Sequence, residues 1–424
     1  MVDVSTFESW LAKGLGRSAV FLENHDPASY LNALLYACIH NVTYDAQCED
    51  GRTPYLWRLI QLSKHQAFFQ NQVSKYLTEK HDSPDECDWA QLFGLARLFA
   101  AEGNAQMRRV MYSAFERLGF EIAGVSSAEE FIALDGFDGF VFAASRFDIR
   151  HPDNELWEIG SLISDLEDRL GKEQSSLLIA QAARRNQNLA TVIEAVQQRE
   201  RKIDEENADY KSRVSPTYLE LKVQRSNSSW ASELRRWSTT ATPEEIKVAG
   251  DDFLFDEDGE KVWGFLRILN RRPFPGNPMQ LLVLADDQRE RVRRAAVIAL
   301  SNVTHPDVRR RAQVLLQSKD RFADGARMLV SNYESGDFRI LEDLLRQPMT
   351  HHEFHDLGFS VEYILKRNST PDAEAALLLL YEKDPCSNCR ESFVRFLINM
   401  NKIPDWMRSE CRYDANAGTI EAVL

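Results

Sequence analysis

The chain has 424 residues, 44% hydrophobic and 27% charged, with a net charge of -14. That length holds two or three domains or one extended repeat array, and the composition excludes a disordered chain. The acidic balance excludes a general nucleic-acid binder, which needs a positive surface against phosphate, although it leaves room for a local basic face.

The N-terminal stretch carries Asp3 and Glu8 where a secretory signal has a basic start and an apolar run. Six scattered cysteines are too few for a disulfide scaffold and point to reduced thiols. No apolar run approaches the ~18–20 residues that span a bilayer. A cytoplasmic protein with no membrane partner is expected.

Along the chain, apolar residues recur at spacings of three and four in 31–40, 55–62 and 89–103. Gly103-Asn104 interrupts the period, which resumes over 105–119, so the two segments read as an antiparallel helical hairpin. Another helix is expected at 127–134, with Ser127 as N-cap and Glu129 and Glu130 complementing the helix dipole. Others follow at 137–147, 154–170 and 173–184. The apolar run 136–147 could pass for a strand, but its length and surroundings favour a buried helix. Residues 190–213 are helical and increasingly charged, and Pro216 stops them. The chain thus divides into an N-terminal helical-repeat region (1–185), a charged helix or linker (186–225) and a C-terminal repeat region (226–424).

The C-terminal region carries the clearest pattern. In "ADDQRERVRRAAVIALSNVTHPDVRRRAQVLL", Val292, Ala295, Ala296, Ala299 and Leu300 form one apolar stripe. Val308, Ala312, Leu315 and Leu316 form another. Small alanines let neighbouring helices approach closely. Asp286, Asp287 and Asp307 precede or open these helices and can cap them. This segment resembles HEAT repeats, and the resemblance spans residues 278–318. It implies an all-α fold: an α-α superhelix, or solenoid, of antiparallel helix pairs. That architecture serves scaffolds, adaptors and a few enzymes, so it leaves function open.

Three groups of residues could carry chemistry. Cys386 and Cys389, in "PCSNCRESF", have the C-x-x-C spacing that lets two thiolates reach one tetrahedral zinc. Cys411 is a candidate third ligand, and His355, His352 or His351 a fourth. The competing readings are packed thiols and a redox pair, although no thioredoxin-type βαβ setting surrounds the motif.

The second group is the loop "HNVTYDAQCEDGR", which concentrates His40, Tyr44, Asp45, Gln47, Glu49 and Arg52 between two helices. These could form an acid/base pair with an anion-holding arginine. They could equally be turn and cap residues, and the echo of Tyr44-Asp45 at Tyr413-Asp414 favours a helix-end turn.

The third group is the basic run 286–321, where Arg293, Arg294, Arg309, Arg310 and Arg311 lead nine basic residues against five acidic ones. It could grip DNA, as HEAT-like glycosylases do, or bridge successive repeats by pairing with aspartate. The favoured expectation is a non-catalytic scaffold, adaptor or regulatory protein that binds a protein partner. The alternatives are a DNA-repair enzyme of the base-glycosylase type, disfavoured by the net charge, or a zinc-containing modifying enzyme. No cofactor is expected, and zinc is possible.

Overall fold

A computed structural model describes residues 2–49, 51–79, 85–151, 155–223, 230–368 and 370–424. Among them every regular element is a helix. The start of the helix expected at 154 and the end of the linker expected at 186–225 lie outside the described residues.

The first compact unit comprises residues 1–212 together with 404–424. Its leading helices are α1 (Val4–Lys13), α2 (Arg17–Asn24), α3 (Leu31–Ile39), α4 (Thr53–Ser63), α5 (Gln66–Thr78) and α6 (Glu86–Ala101). They are followed by α7 (Ala105–Leu118), α8 (Phe120–Asp135), α9 (Phe137–Ala144), α10 (Leu156–Leu170), α11 (Lys172–Ala183) and α12 (Gln187–Ser212). The expected segments 31–40, 55–62, 89–103 and 105–119 are matched by α3, α4, α6 and α7, and helix covers Phe137–Ala144 of the apolar run 136–147. The expected cap at Ser127 is not one. That residue sits inside α8 with its hydroxyl buried, and α8 instead bends at Gly124, whose φ is 75°.

Aromatic rings dominate the core of this unit. Phe131 lies 4.9 Å from both Tyr112 and Phe142, 5.0 Å from Phe115 and 5.8 Å from Phe93, between ring centroids. Such offset and edge-on pairs add to the gain from burying the rings.

The second unit comprises residues 213–403. It holds α13 (Tyr218–Val223), α14 (Trp230–Ser238), α15 (Pro243–Phe253), α16 (Gly259–Ile268), α17 (Pro278–Leu284) and α18 (Glu290–Leu300). Then come α19 (Pro306–Leu316), α20 (Phe322–Met328), α21 (Asp337–Leu345), α22 (His351–Arg367), α23 (Glu374–Lys383) and α24 (Ser387–Asn399). Helices pack as neighbours in sequence: α15 on α16, α17 on α18, α19 on α20, α21 on α22 and α23 on α24. The even-numbered helices also pack in succession, from α14 through α16, α18, α20 and α22 to α24. The two apolar stripes are buried, with Val292, Ala296, Ala299, Leu300, Val308 and Ala312 all at or below 1% exposure.

The C-terminal end of the chain, placed at 226–424 with the repeat region by the sequence, groups with the first unit. Helices α25 (Asp405–Cys411) and α26 (Ala417–Val423) belong to the first unit, where α25 packs on α2. The charged helix α12 also belongs there and buries Leu189, Val192, Ile193 and Val196 at its N-terminal end. Two glycines explain how the C-terminal helices dock. Gly14 ends α1 at φ 69°, and its carbonyl accepts from the Ala415 amide at 2.9 Å. A Cβ on Gly16 would fall 1.9 Å from the Glu410 carbonyl oxygen, so only glycine admits α25 there.

Candidate functional site

Residues of the C-x-x-C motif meet a histidine in the second unit. Cys386 is the N-cap of α24 and Cys389 lies in its first turn. Helix α22 begins at a capping box in which the Thr350 hydroxyl accepts from the Glu353 amide and the Glu353 carboxylate accepts from the Thr350 amide. One turn further along α22, His355 faces α24. The ligating atoms of His355, Cys386 and Cys389 all lie within 4.8 Å of one another. Cys389 Sγ is 3.7 Å from His355 Nδ1.

Asp384 completes the constellation, and the sequence reading missed it. Its carboxylate is fully buried; Oδ1 accepts from the Cys386 amide at 2.9 Å and sits 3.5 Å from His355 Nδ1. Room for it comes from Gly358 on α22, where a Cβ would lie 2.6 Å from Asp384 Oδ2. Asp384 lies two residues before Cys386, but an aspartate ahead of Pro-Cys reads in sequence as an ordinary turn residue.

Electrostatics follow from this crowding. The hydrogen bond to Asp384 holds the His355 imidazole above its ordinary value of 6.5, against the opposing effect of burial. Burial pushes the Asp384 carboxyl up. The Cys389 thiol is pushed up by its hydrogen bond with Cys386, by burial and by the nearby Asp384 charge. Two thiols and a carboxylate packed this closely disfavour ionisation unless a cation joins them.

Cys411, the expected third ligand, is not part of this group. It lies on α25 in the first unit, fully buried in the packing of that unit. His352 is largely exposed and lies beside Asp356. Residues His351, Glu353, Pro385, Cys386 and Cys389 also spell the H-x-E…P-C-x-x-C order with which zinc deaminases hold metal and place a general acid/base. The imidazole that meets the thiols is instead His355, and Glu353 is engaged in the exposed capping box.

The loop 40–52 is held by its own side chains. Arg52 and Glu49 form a buried ion pair at 2.9 Å, with side chains 1% and 0% exposed. Glu49 Oε1 accepts from the Asp45 amide, and Asp88 accepts from the Asn41 amide and lies 3.5 Å from His40. Tyr44 is half-buried. Asp45 Oδ1 accepts from the Gln47 amide at 3.1 Å, and Asp414 Oδ1 accepts from the Asn416 amide at 3.0 Å. The repeated Tyr-Asp pair is therefore one turn used twice, with Asn416 then capping α26. A cleft of about 470 Å³ lies between residues 51–58 of this segment and residues 413–420.

The arginines of the basic run meet carboxylates. Arg309 makes a two-pronged bond to Asp337 at 2.8 and 3.0 Å and also reaches Glu334 at 3.0 Å. Arg311 and Arg321 converge on Asp286 at 2.5 and 2.7 Å. Arg294 pairs with Glu290 and Arg310 with Asp307, both within one helix. Arg293 donates to the Asp287 carbonyl at 3.2 Å. The expected caps work differently: α18 begins at Arg289, and α19 is capped by the His305 ring, which accepts from the Asp307 amide.

A second cleft, of about 350 Å³, is lined from three helices by Arg293 and Arg294 of α18, Arg327 of α20, and His352, Asp356 and Phe359 of α22. The Arg327 guanidinium sits 3.7 Å from the Tyr363 ring centre and 5.8 Å from that of Phe359. Among the described residues it has no ion-pair partner.

No family model matches the chain, and no curated protein or solved structure matches it either. No described helix is long and apolar enough to cross a membrane.

Proposed function

We propose that this chain is a non-catalytic interaction scaffold, built in its second unit as a HEAT-like solenoid of stacked antiparallel pairs. The unbroken succession of even-numbered helices from α14 to α24 supports that architecture. In it, Arg309–Asp337 and the convergence of Arg311 and Arg321 on Asp286 act as links between successive pairs.

The observation that carries the functional reading is the cleft across α18, α20 and α22. Its lining comes from three successive pairs, the way repeat proteins assemble a recognition surface. Arg327 and the 42% exposed Phe359 supply an arginine and an aromatic ring, residue types that dominate binding hot spots. A protein segment is the favoured occupant. Duplex DNA is less favoured, because most of the arginines that could hold phosphate are already paired with carboxylates.

The test is affinity capture from the native host with the full chain, in parallel with Phe359→Ala and Arg327→Ala. A partner that rebinds when purified, and binds at least tenfold more weakly to both variants, supports the reading. A partner indifferent to both variants places binding elsewhere and refutes the cleft. Salt-sensitive binding of duplex DNA, lost on reversing Arg293 and Arg294, would transfer the assignment to nucleic acid.

A further inference from the structure

We propose that His355, Cys386 and Cys389 hold one zinc ion, with Asp384 as the adjoining carboxylate. The proposal is independent of the scaffold reading, since it concerns α22 and α24 alone and needs no partner.

Spacing comes first. Zinc binds thiolate at ~2.3 Å and imidazole at ~2.0–2.1 Å, so a tetrahedral ion separates sulfur from nitrogen by roughly 3.6 Å. The observed separation of Cys389 Sγ from His355 Nδ1 is 3.7 Å. A second buried sulfur, Cys386, joins the same cluster within 4.8 Å, so two sulfurs and one imidazole share one spot.

Charge and placement come next. A soft cation suits two sulfurs and one imidazole, whereas calcium and magnesium demand oxygen. Asp384 is fully buried, and its Oδ2 makes no hydrogen bond. The buried Arg390 and the half-buried His355 ring stand near it, and a divalent ion there would favour its ionised form. Asp384 Oδ1 lies 3.5 Å from the same Nδ1 that stands near the sulfur, which places it as a candidate fourth ligand beside the ion.

The local backbone fits the same role. A C-x-x-C motif at the start of a helix places two thiols on one side of the first turn, and the third ligand arrives from a separate helix. Bound zinc would tie α22 to the turn between α23 and α24. Two cysteines and one histidine leave the fourth position to water or to Asp384. His355, with 22% of its side chain exposed, is the member of the group that reaches solvent.

The test uses the full chain purified without chelator, with zinc measured by elemental analysis and cobalt(II) titration followed by absorption. The expected content is about one zinc per chain, with a thiolate-to-cobalt charge-transfer band on substitution. Cys386→Ser and Cys389→Ser should abolish both signals, whereas Cys48→Ser in the first unit should leave them unchanged. Asp384→Asn should weaken retention against a chelator by at least ~10-fold. His355→Ala should lose the ion, and His355→Cys, which restores a third soft ligand, should recover it even if the alanine variant folds poorly. Zinc no higher than a buffer blank combined with no cobalt band overturns the proposal. So does zinc that survives both serine variants. A two-hydrogen mass loss that links Cys386 to Cys389 in the metal-free native chain would assign the pair to redox chemistry instead.

Discussion

Arg309 and Arg310 are adjacent residues of one type on α19, and removing them should have very unequal consequences. Arg309 is 17% exposed and bonds Asp337, 6% exposed, through two parallel hydrogen bonds, while also donating to the Asn332 carbonyl at 2.5 Å. Alanine there strands a nearly buried carboxylate that also accepts from the Glu334 amide. Breaking a buried pair costs ~3–5 kcal/mol, and the remaining exposure reduces this to about 2–3 kcal/mol. Arg310 is 73% exposed and pairs with Asp307 one turn away, so its alanine variant should cost less than ~0.5 kcal/mol. With a urea dependence of ~2 kcal/mol per molar, Arg309→Ala should lower the midpoint of the second unit by roughly 1–1.5 M, and Arg310→Ala should leave it in place. Unfolding should be fitted with one transition per unit, because a single two-state fit is inappropriate for a two-unit chain. A cycle with Asp337→Ala should give a coupling of at least ~1.5 kcal/mol. Equal midpoints for the two arginine variants, or a coupling near zero, would refute the view that Arg309 links successive helix pairs.

Other consequences follow from the same geometry. Gly16→Ala forces a methyl group against the Glu410 carbonyl, so residues 404–424 should undock; limited proteolysis with mass spectrometry should show about tenfold faster cleavage there. Phe131→Ala opens a cavity among four aromatic rings and should cost the first unit about 3–5 kcal/mol in urea unfolding. Burial alone would raise the Asp286 carboxyl, but hydrogen bonds from Arg321 and Arg311 outweigh it and hold the group below its ordinary 3.8. A depressed carboxyl contributes stability above its unfolded value and loses it as pH falls through the folded one. Asp286→Asn should therefore flatten the loss of stability of the second unit below about pH 4, as followed by circular dichroism; an unchanged acid limb would contradict the pairing.

Much of the helical order was legible in local patterns. Periodicity of three and four located α3, α4, α6, α7, α18 and α19, because burying one face of a helix writes itself into neighbouring residues. The turn chemistry of Asp45 and Asp414 was legible for the same reason: the side chain bonds an amide two residues away. The C-x-x-C pair was legible as two soft ligands, since their spacing is local.

What sequence could not decide was which distant groups meet. Cys411 lies nearer to Cys389 in sequence than His355 does, yet α25 returns to the first unit while His355 faces α24 from α22. Asp384 became visible only through the pocket that Gly358 leaves for its carboxylate. Glu49 and Arg52, which read as accessible binding groups in a polar loop, are a sealed ion pair, because burial depends on what packs over the loop. Local spacing determines which face of a helix is apolar; the meeting of side chains from separate helices depends on how those faces stack, and that is settled only by tertiary packing.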